Sequence, residues 1–170
     1  TIVVDQDKNA PGFQYADYKI YSSTYNYIDI INNLEKKKLA KKIDGILSLS
    51  ADVPVTIAQL GLYLNINTIS LKTAKICSDK IKMKNFLKTN NVNVPWYSGV
   101  EDYKFLKNLT NNFDKLVLKP VDSRGARGVL LIDKNTDLNW AYRYSLSFSP
   151  KKKLIVEELL EGTQISTESI

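Results

Sequence analysis

Short apolar runs of strand type alternate with segments of helical period along the first 70 residues, and this alternation leaves few folds open. TIVVD is an apolar run closed by Asp5, and a turn-rich stretch with Pro11 and Gly12 follows it. ADYKIYSST alternates as a second, weaker strand, after which Thr24 can cap a helix carrying Ile28, Ile31, Leu34, Leu39 and Ile43 on one side. DGILSLS reads as a short buried strand, Pro54 suits the first turn of a helix through PVTIAQLGLYL, and INTI is a further extended piece. Strands and helices joined by short links predict βα units around a mostly parallel sheet, an α/β fold of the doubly wound kind.

Past residue 75 the pattern changes. Two helices, SDKIKMKNFLKTN with Ser78 as N-cap and VEDYKFLKNLTNN, flank the extended, Pro-containing NVNVPWYSG. KLVLKP, VLLID and KLIVEEL then read as strands, with a helix from Thr136 to about Ser147 and QISTESI as the start of another strand. This makes a smaller α+β unit. The expected division is 1–75, a partial doubly wound parallel sheet, and 76–170, an α+β subdomain. The chain opens without Met directly on a strand and stops in a strand pattern, so it reads as a piece of a longer polypeptide with a first strand upstream of Thr1.

Composition removes whole classes of chemistry. The 170 residues include no His and one Cys, which excludes Ser-His-Asp and Cys-His catalysis, His-zinc sites, Cys-cluster metals and intramolecular disulfides. Cys77, in the helical-looking LKTAKICSDK, is expected to be a small core residue in a reducing compartment. The longest apolar run is far short of the roughly 18 residues that cross a bilayer, and no signal-peptide pattern opens the chain, so a soluble, unprocessed, cytoplasmic protein without a membrane partner is expected. Net charge is +6, but it is spread: nine Lys/Arg face seven Asp/Glu over residues 1–75, and fifteen face eleven over 76–170. Neither half is a basic arm. The runs Lys36 to Lys38 and Lys151 to Lys153 read as solvated surface, and the aromatics do not interleave with a basic stripe, which argues against nucleic acid.

The segment that carries chemistry is KLVLKPVDSRGARGVLLI, Lys115 to Ile132. It is a strand, Lys-Pro, a polar loop, and a second strand. Gly125 and Gly128 allow backbone N–H groups to turn toward a phosphate, Ser123 adds a hydroxyl, and Arg124 and Arg127 add charged donors on either side of Ala126. Lys119 ends a buried-looking strand and would be held by the sheet. The loop has no apolar anchor and is expected to be mobile until phosphates order it. It is not a P-loop, because no Gly-Lys-Ser/Thr opens a helix. Asp79-Lys80 places an ammonium at a helix N-terminus, where it gains if an anion binds there too. In LIVEELLEG an apolar strand runs into acids and leaves the sheet, offering free backbone groups to a planar base edge.

The order of these three segments is specific: DK at a helix start, K-P-x-D-S-x-G-x-R-G-V between strands, and V-E-E-L-L-E-G before a further strand. The series resembles the ATP-grasp superfamily of carboxylate-amine ligases. VVDQDKNAPGFQYAD with DGILSLSADVPV looks like the domain preceding the ATP-grasp module in carbamoyl-phosphate-synthetase-like and phosphoribosylglycinamide-synthetase-like members. The resemblance implies that Lys80 and Lys119 contact ATP phosphates, with Lys119 also near the adenine. It implies that Ser123 to Gly128 closes over the β- and γ-phosphates. Glu157 to Leu160 would be a hinge whose main chain at Glu158 and Leu160 reads the adenine edge. Gln164 stands where many members carry a ribose-binding Glu. The implied reaction makes an acylphosphate from a small-molecule carboxylate and ATP, which an amine or similar nucleophile then captures. ATP and Mg²⁺ are the implied cofactors, the metal ligands are expected downstream of the chain, and Glu157, Glu158 and Glu168 are not assigned to metal.

Two other readings are open to these residues. An ATP-grasp-like module could bind nucleotide without turnover, which Gln164 in place of Glu suggests. Asp5 at a strand end could instead read the ribose of a nicotinamide dinucleotide, but that motif needs a G-x-G-x-x-G turn one βα unit earlier, and the chain has none.

Overall fold

The computed structural model describes residues 1–48, 51–163 and 165. It is an α/β structure with one parallel and one antiparallel sheet, and it divides into two compact units, Thr1–Ser78 and Asp79–Ile170. Among the described residues no helix is long and apolar enough to cross a membrane.

In the first unit, β1 (Ile2–Asp5) pairs in parallel with β2 (Tyr18–Tyr21), Ile2 opposite Tyr18 and Asp5 opposite Tyr21. The helix α1 (Tyr27–Lys36) is capped by Asn26, whose side chain accepts from Asp29 N–H, so the cap is Asn26 and not Thr24. Its buried residues are Ile30 and Leu34, which pack with Ile20, Leu39 and Leu60, while Ile28 is exposed. Thr24 lies two residues before the cap, and Ile28 falls on the far side of the helix from Ile30, since two residues make about 200° of turn.

The helix α2 (Pro54–Leu64) starts on its proline as expected and ends at Asn65 in the left-handed region, φ 54°. DGILSLS contributes no strand among its described residues: Ile43 to Ser48 line a cleft of about 500 Å³ together with β1. The INTI segment is likewise outside both sheets over residues 66–69. A third helix, α3 (Leu71–Cys77), buries Ala74 and leaves Cys77 exposed, contrary to its expected core role. Cys77 is the last residue of this helix, three past Ala74.

The second unit opens with α4 (Lys80–Thr89). Its N-cap is Asp79, whose carboxylate accepts from Lys82 N–H at 3.1 Å; Ser78 instead closes α3, donating to Ala74 O. Four strands follow, β3 (Tyr97–Val100), β4 (Lys115–Pro120), β5 (Leu130–Asp133) and β6 (Leu154–Glu158), all antiparallel in the order β3-β6-β4-β5. The helix α5 (Tyr103–Thr110) is capped by Asp102, and α6 (Leu138–Ser147) by Asp137, so α6 starts two residues later than the expected Thr136.

Strand alternation sorts this sheet into two chemistries. Leu116 and Leu118 of β4, Ile132 of β5 and Leu154 and Val156 of β6 turn to one face and bury against Leu106 and Ala141 of α5 and α6. Each fully buried Leu, Ile or Val there contributes about 1.5–3 kcal/mol. The alternate residues Lys119, Ile155 and Glu157 turn to the other face, because successive strand side chains point oppositely. The apolar face thus fixes which side carries the charges.

Candidate functional site

Lys80, Lys119, the base of the β4–β5 loop and Glu157 come together on that second face. The start of α4 is bound to the end of β4 by Lys80 N–H donating to Val121 O at 3.0 Å. The Lys80 side chain then donates through Nζ to Pro120 O (2.9 Å) and Ser123 O (2.7 Å), so one residue holds three carbonyls of the segment leading into the loop. Burial lowers the pKa of Lys80 from its ordinary value, the nearby Lys119 ammonium and Arg124 lower it further, and Asp122 and Glu157 oppose them.

Lys119 reaches Glu157 across the β4–β6 ladder. Val117 is opposite Glu157 and Lys119 opposite Ile155, so Lys119 and Glu157 are diagonal neighbours, within reach of a long side chain. Lys119 Nζ lies 2.8 Å from Glu157 Oε2, and Lys84 Nζ from α4 lies 3.2 Å from the same oxygen. The Glu157 and Lys84 side chains are 5% and 10% exposed, and Lys119 is the open member at 26%. Lys84 Nζ also sits 5.6 Å from the Tyr97 ring centre, a cation–π contact. Cations outnumber carboxylates in this cluster, and a polyanion would supply the missing charge.

The loop, expected to lack an apolar anchor, is fastened at both ends by polar contacts. Asp122 accepts from Ser149 Oγ at 2.6 Å and from Lys151 N–H at 3.0 Å. Lys151 Nζ lies 3.1 Å from Asp79, which links this end to the cap of α4. Lys151 therefore has a structural contact, where sequence reading made it plain surface. At the other end Gly128, φ 74°, is buried, its carbonyl accepts from Ser145 Oγ at 2.8 Å, and a Cβ there would come within 2.8 Å of Pro120 Cγ. Between these anchors Gly125, Ala126 and Arg127 are exposed, with Gly125 and Ala126 in the left-handed region at φ 61° and 55°. Arg127 Nε donates to Arg124 O at 3.2 Å.

The end of β6 is held differently. Glu158 N–H donates to Trp96 O at 3.0 Å, and the Glu158 carboxylate accepts from Trp96 N–H at 2.9 Å. Leu160 lies past the strand and is 68% exposed. Gln164 and Glu168 lie outside the described residues. Lys84, Asp79, Ser149 and Lys151 were missed as site residues. For Lys84 a signal existed, since its spacing of four from Lys80 puts both on one face of α4.

The antiparallel sheet, the lysine at a helix start bonded to a Gly-containing loop, and the acid-rich strand end define a domain of the ATP-grasp class. A family model described as an ATP-grasp domain matches residues 77–170, and the chain belongs to that family. None of the curated proteins compared with the chain matches it. Solved structures do. The chain is similar to N5-carboxyaminoimidazole synthetase from Staphylococcus aureus complexed with ADP, with a TM-score of 0.70 and 16% identity over 94% of this chain and 40% of that one. It is similar to the biotin carboxylase–beta-gamma-ATP complex from Campylobacter jejuni (0.67, 22%, over 94% and 39%). A third is N5-carboxyaminoimidazole ribonucleotide synthetase from Thermotoga maritima (0.62, 25%, over 94% and 39%). The chain spans about two-fifths of the length of these structures.

Proposed function

We propose that this chain is the adenine-, ribose- and phosphate-binding portion of an ATP-dependent ligase that activates a small-molecule carboxylate as an acylphosphate and joins it to an amine or similar nucleophile. The observation that carries the reading is the convergence of Lys80 and Lys119 at the root of the Ser123 to Gly128 loop, with Glu157 at the start of the hinge. In this reading Lys80 and Lys119 neutralise phosphate oxygens, and the N–H groups of Ser123, Arg124, Gly125, Ala126, Arg127 and Gly128 cover the β- and γ-phosphates. Glu158 through its carbonyl and Leu160 through its N–H meet the adenine edge, and Gln164 meets the ribose. Residues 1–75 form the preceding domain, of the carbamoyl-phosphate-synthetase-like or phosphoribosylglycinamide-synthetase-like kind, supported by VVDQDKNAPGFQYAD and DGILSLSADVPV.

Mg²⁺ neutralises the transferring phosphoryl group in such chemistry. Among the described residues no three His, Cys, Asp or Glu side chains gather as a metal site, so the residues on this face do not fit the ion by themselves. What they do is bind and orient: fixed ammonium and N–H donors hold the nucleotide in one pose and stabilise charge that develops on its phosphates.

The test is calorimetric titration of ATP and adenosine into the longest soluble polypeptide carrying this sequence, followed by phosphate release with a panel of carboxylates and amines. ATP binding tighter than adenosine, and phosphate release that needs a carboxylate, are the expected results. Binding of neither nucleotide would overturn the reading. Binding without carboxylate-dependent release would leave a nucleotide-binding module without ligase chemistry.

A further inference from the structure

The buried ammonium of Lys84 has no part in the reading above, yet it shares one carboxylate oxygen with Lys119. We propose that Lys84 is a positioning residue that makes Lys119 exchangeable: it keeps Glu157 paired while Lys119 moves from the carboxylate to a nucleotide phosphate. This inference rests on the proposed nucleotide site.

Two ammonium groups, Lys119 at 2.8 Å and Lys84 at 3.2 Å, meet Glu157 Oε2. Removing the partner of a buried ion is strongly destabilising, because it strands an uncompensated charge. Were Lys119 the sole counter-ion of Glu157, releasing it to a phosphate would carry that penalty, and nucleotide binding would be opposed by it. Lys84 removes the obstacle. It is nearly as close to Oε2 and far more enclosed, with a side-chain exposure of 10% against 26% for Lys119. The Tyr97 ring at 5.6 Å steadies its ammonium. The two lysines therefore divide the work by exposure: the enclosed one stays on the carboxylate and the open one is free to leave.

The arrangement follows from two periodicities. Lys84 lies one helical turn after Lys80, so α4 presents both ammonium groups to the same sheet face. Glu157 lies on that face by strand alternation, diagonal to Lys119. Lys80 is engaged separately, by Pro120 O and Ser123 O, and does not substitute for Lys84.

The experiment measures ATP affinity and Tm for the unaltered polypeptide, Lys84→Met, Lys84→Arg, Glu157→Gln and the Lys84→Met/Glu157→Gln pair, with Lys119→Ala as reference. Lys84→Met should weaken ATP about tenfold, because Lys119 is then held by an otherwise unpaired carboxylate. Lys84→Arg should restore affinity to within about threefold, since a guanidinium can take the same pairing role. In the Glu157→Gln background, Lys84→Met should cost under about twofold, because no buried charge is left to neutralise. A loss that is merely structural would persist in that background and follow Tm. Wild-type affinity in folded Lys84→Met, or a loss undiminished by Glu157→Gln, overturns the proposal.

Side-chain ¹⁵N signals of the lysines in the unaltered protein give a second reading that does not depend on any variant folding. ATP should shift the Lys119 signal and leave Lys84 in place, and equal movement of both overturns the positioning role. Loss of affinity at Lys119→Ala with none at Lys84→Met sinks this inference alone. Failure of the unaltered protein to bind ATP sinks the nucleotide reading with it.

Discussion

Lys80 Nζ donates to the carbonyl oxygen of Ser123 at 2.7 Å, so the first residue of α4 grips the first residue of the Gly-containing loop. The same ammonium also takes Pro120 O at 2.9 Å. Any anion that engages Lys80 therefore acts on the root of the loop as well. Burial in this position, together with the Lys119 charge, lowers the Lys80 pKa below the ordinary 10.5.

That shift has a definite sign in stability. Below its folded midpoint Lys80 is charged in both states and burial of the charge costs stability. Between the folded midpoint and 10.5 the unfolded chain binds more protons, so this cost fades as pH rises through the window. Lysine ε-methylene NMR across an alkaline titration should give Lys80 a midpoint under 10.5, and a midpoint at or above that value contradicts the packing described.

Lys119→Ala should weaken ATP binding by about 1.5–3 kcal/mol, the range for a hydrogen bond to a charged group. The fold should survive, because Lys119 lies on the face opposite the Leu116, Leu118 and Val156 core. Calorimetry with circular dichroism checks both, and unchanged affinity in a folded variant removes Lys119 from the site.

Asp79→Ala should destabilise the second unit by about 0.5–2 kcal/mol, the usual cost of losing an N-cap. Burial alone would raise the Asp79 pKa, but the Lys82 N–H and the Lys151 ammonium outweigh it and the carboxyl is held below 3.8. Its stabilisation is therefore present above 3.8 and lost as pH falls through the folded midpoint. Urea denaturation at neutral and acid pH measures this: the wild-type advantage over Asp79→Ala should shrink in acid.

Gly128→Ala and Gly125→Ala separate crowding from backbone strain. Both glycines have positive φ, but a Cβ at Gly125 meets open space, whereas at Gly128 it meets Pro120 Cγ at 2.8 Å and Phe148 Cδ2 at 3.0 Å. Gly125→Ala should cost about 1 kcal/mol and Gly128→Ala about 2–4 kcal/mol, the excess being overpacking. Thermal melts giving equal losses would mean that Gly128 is not enclosed.

Hydrogen exchange should separate the anchor of the loop from its tip. The Lys151 amide, bonded to Asp122, should be protected, whereas the exposed stretch from Gly125 to Arg127 should exchange fast and slow on addition of ATP. Uniform protection of the loop without ATP would count against its closing over phosphates.

Sequence alone determined the local chemistry. Periodicity located β1, β2 and three of the four strands of the second unit, because a strand with one buried face must alternate, and Pro54 located α2; β3 lay in a segment read only as extended. The order of DK, K-P-x-D-S-x-G-x-R-G and V-E-E-L-L-E-G carried the family resemblance on residue type and spacing. Local reading failed where competing residues stand within two positions of each other: Thr24 against Asn26, and Ser78 against Asp79, are each plausible caps until the helix axis is placed. It failed too for Ile43 to Ser48, whose apolar residues suit a strand but whose ladder partner only the sheet can supply.

The Lys84–Glu157–Lys119 cluster and the Asp122–Ser149 anchor were decided by tertiary structure. Their members lie far apart in the chain, and the spacing that puts Lys80 and Lys84 on one face of α4 does not say that this face turns inward. The β4–β6 register put Lys119 diagonal to Glu157, the apolar face beneath forced both to the other side, and α4 then laid Lys84 over them. Propensity acts over a few residues, whereas enclosure of a charge needs three elements to close around it.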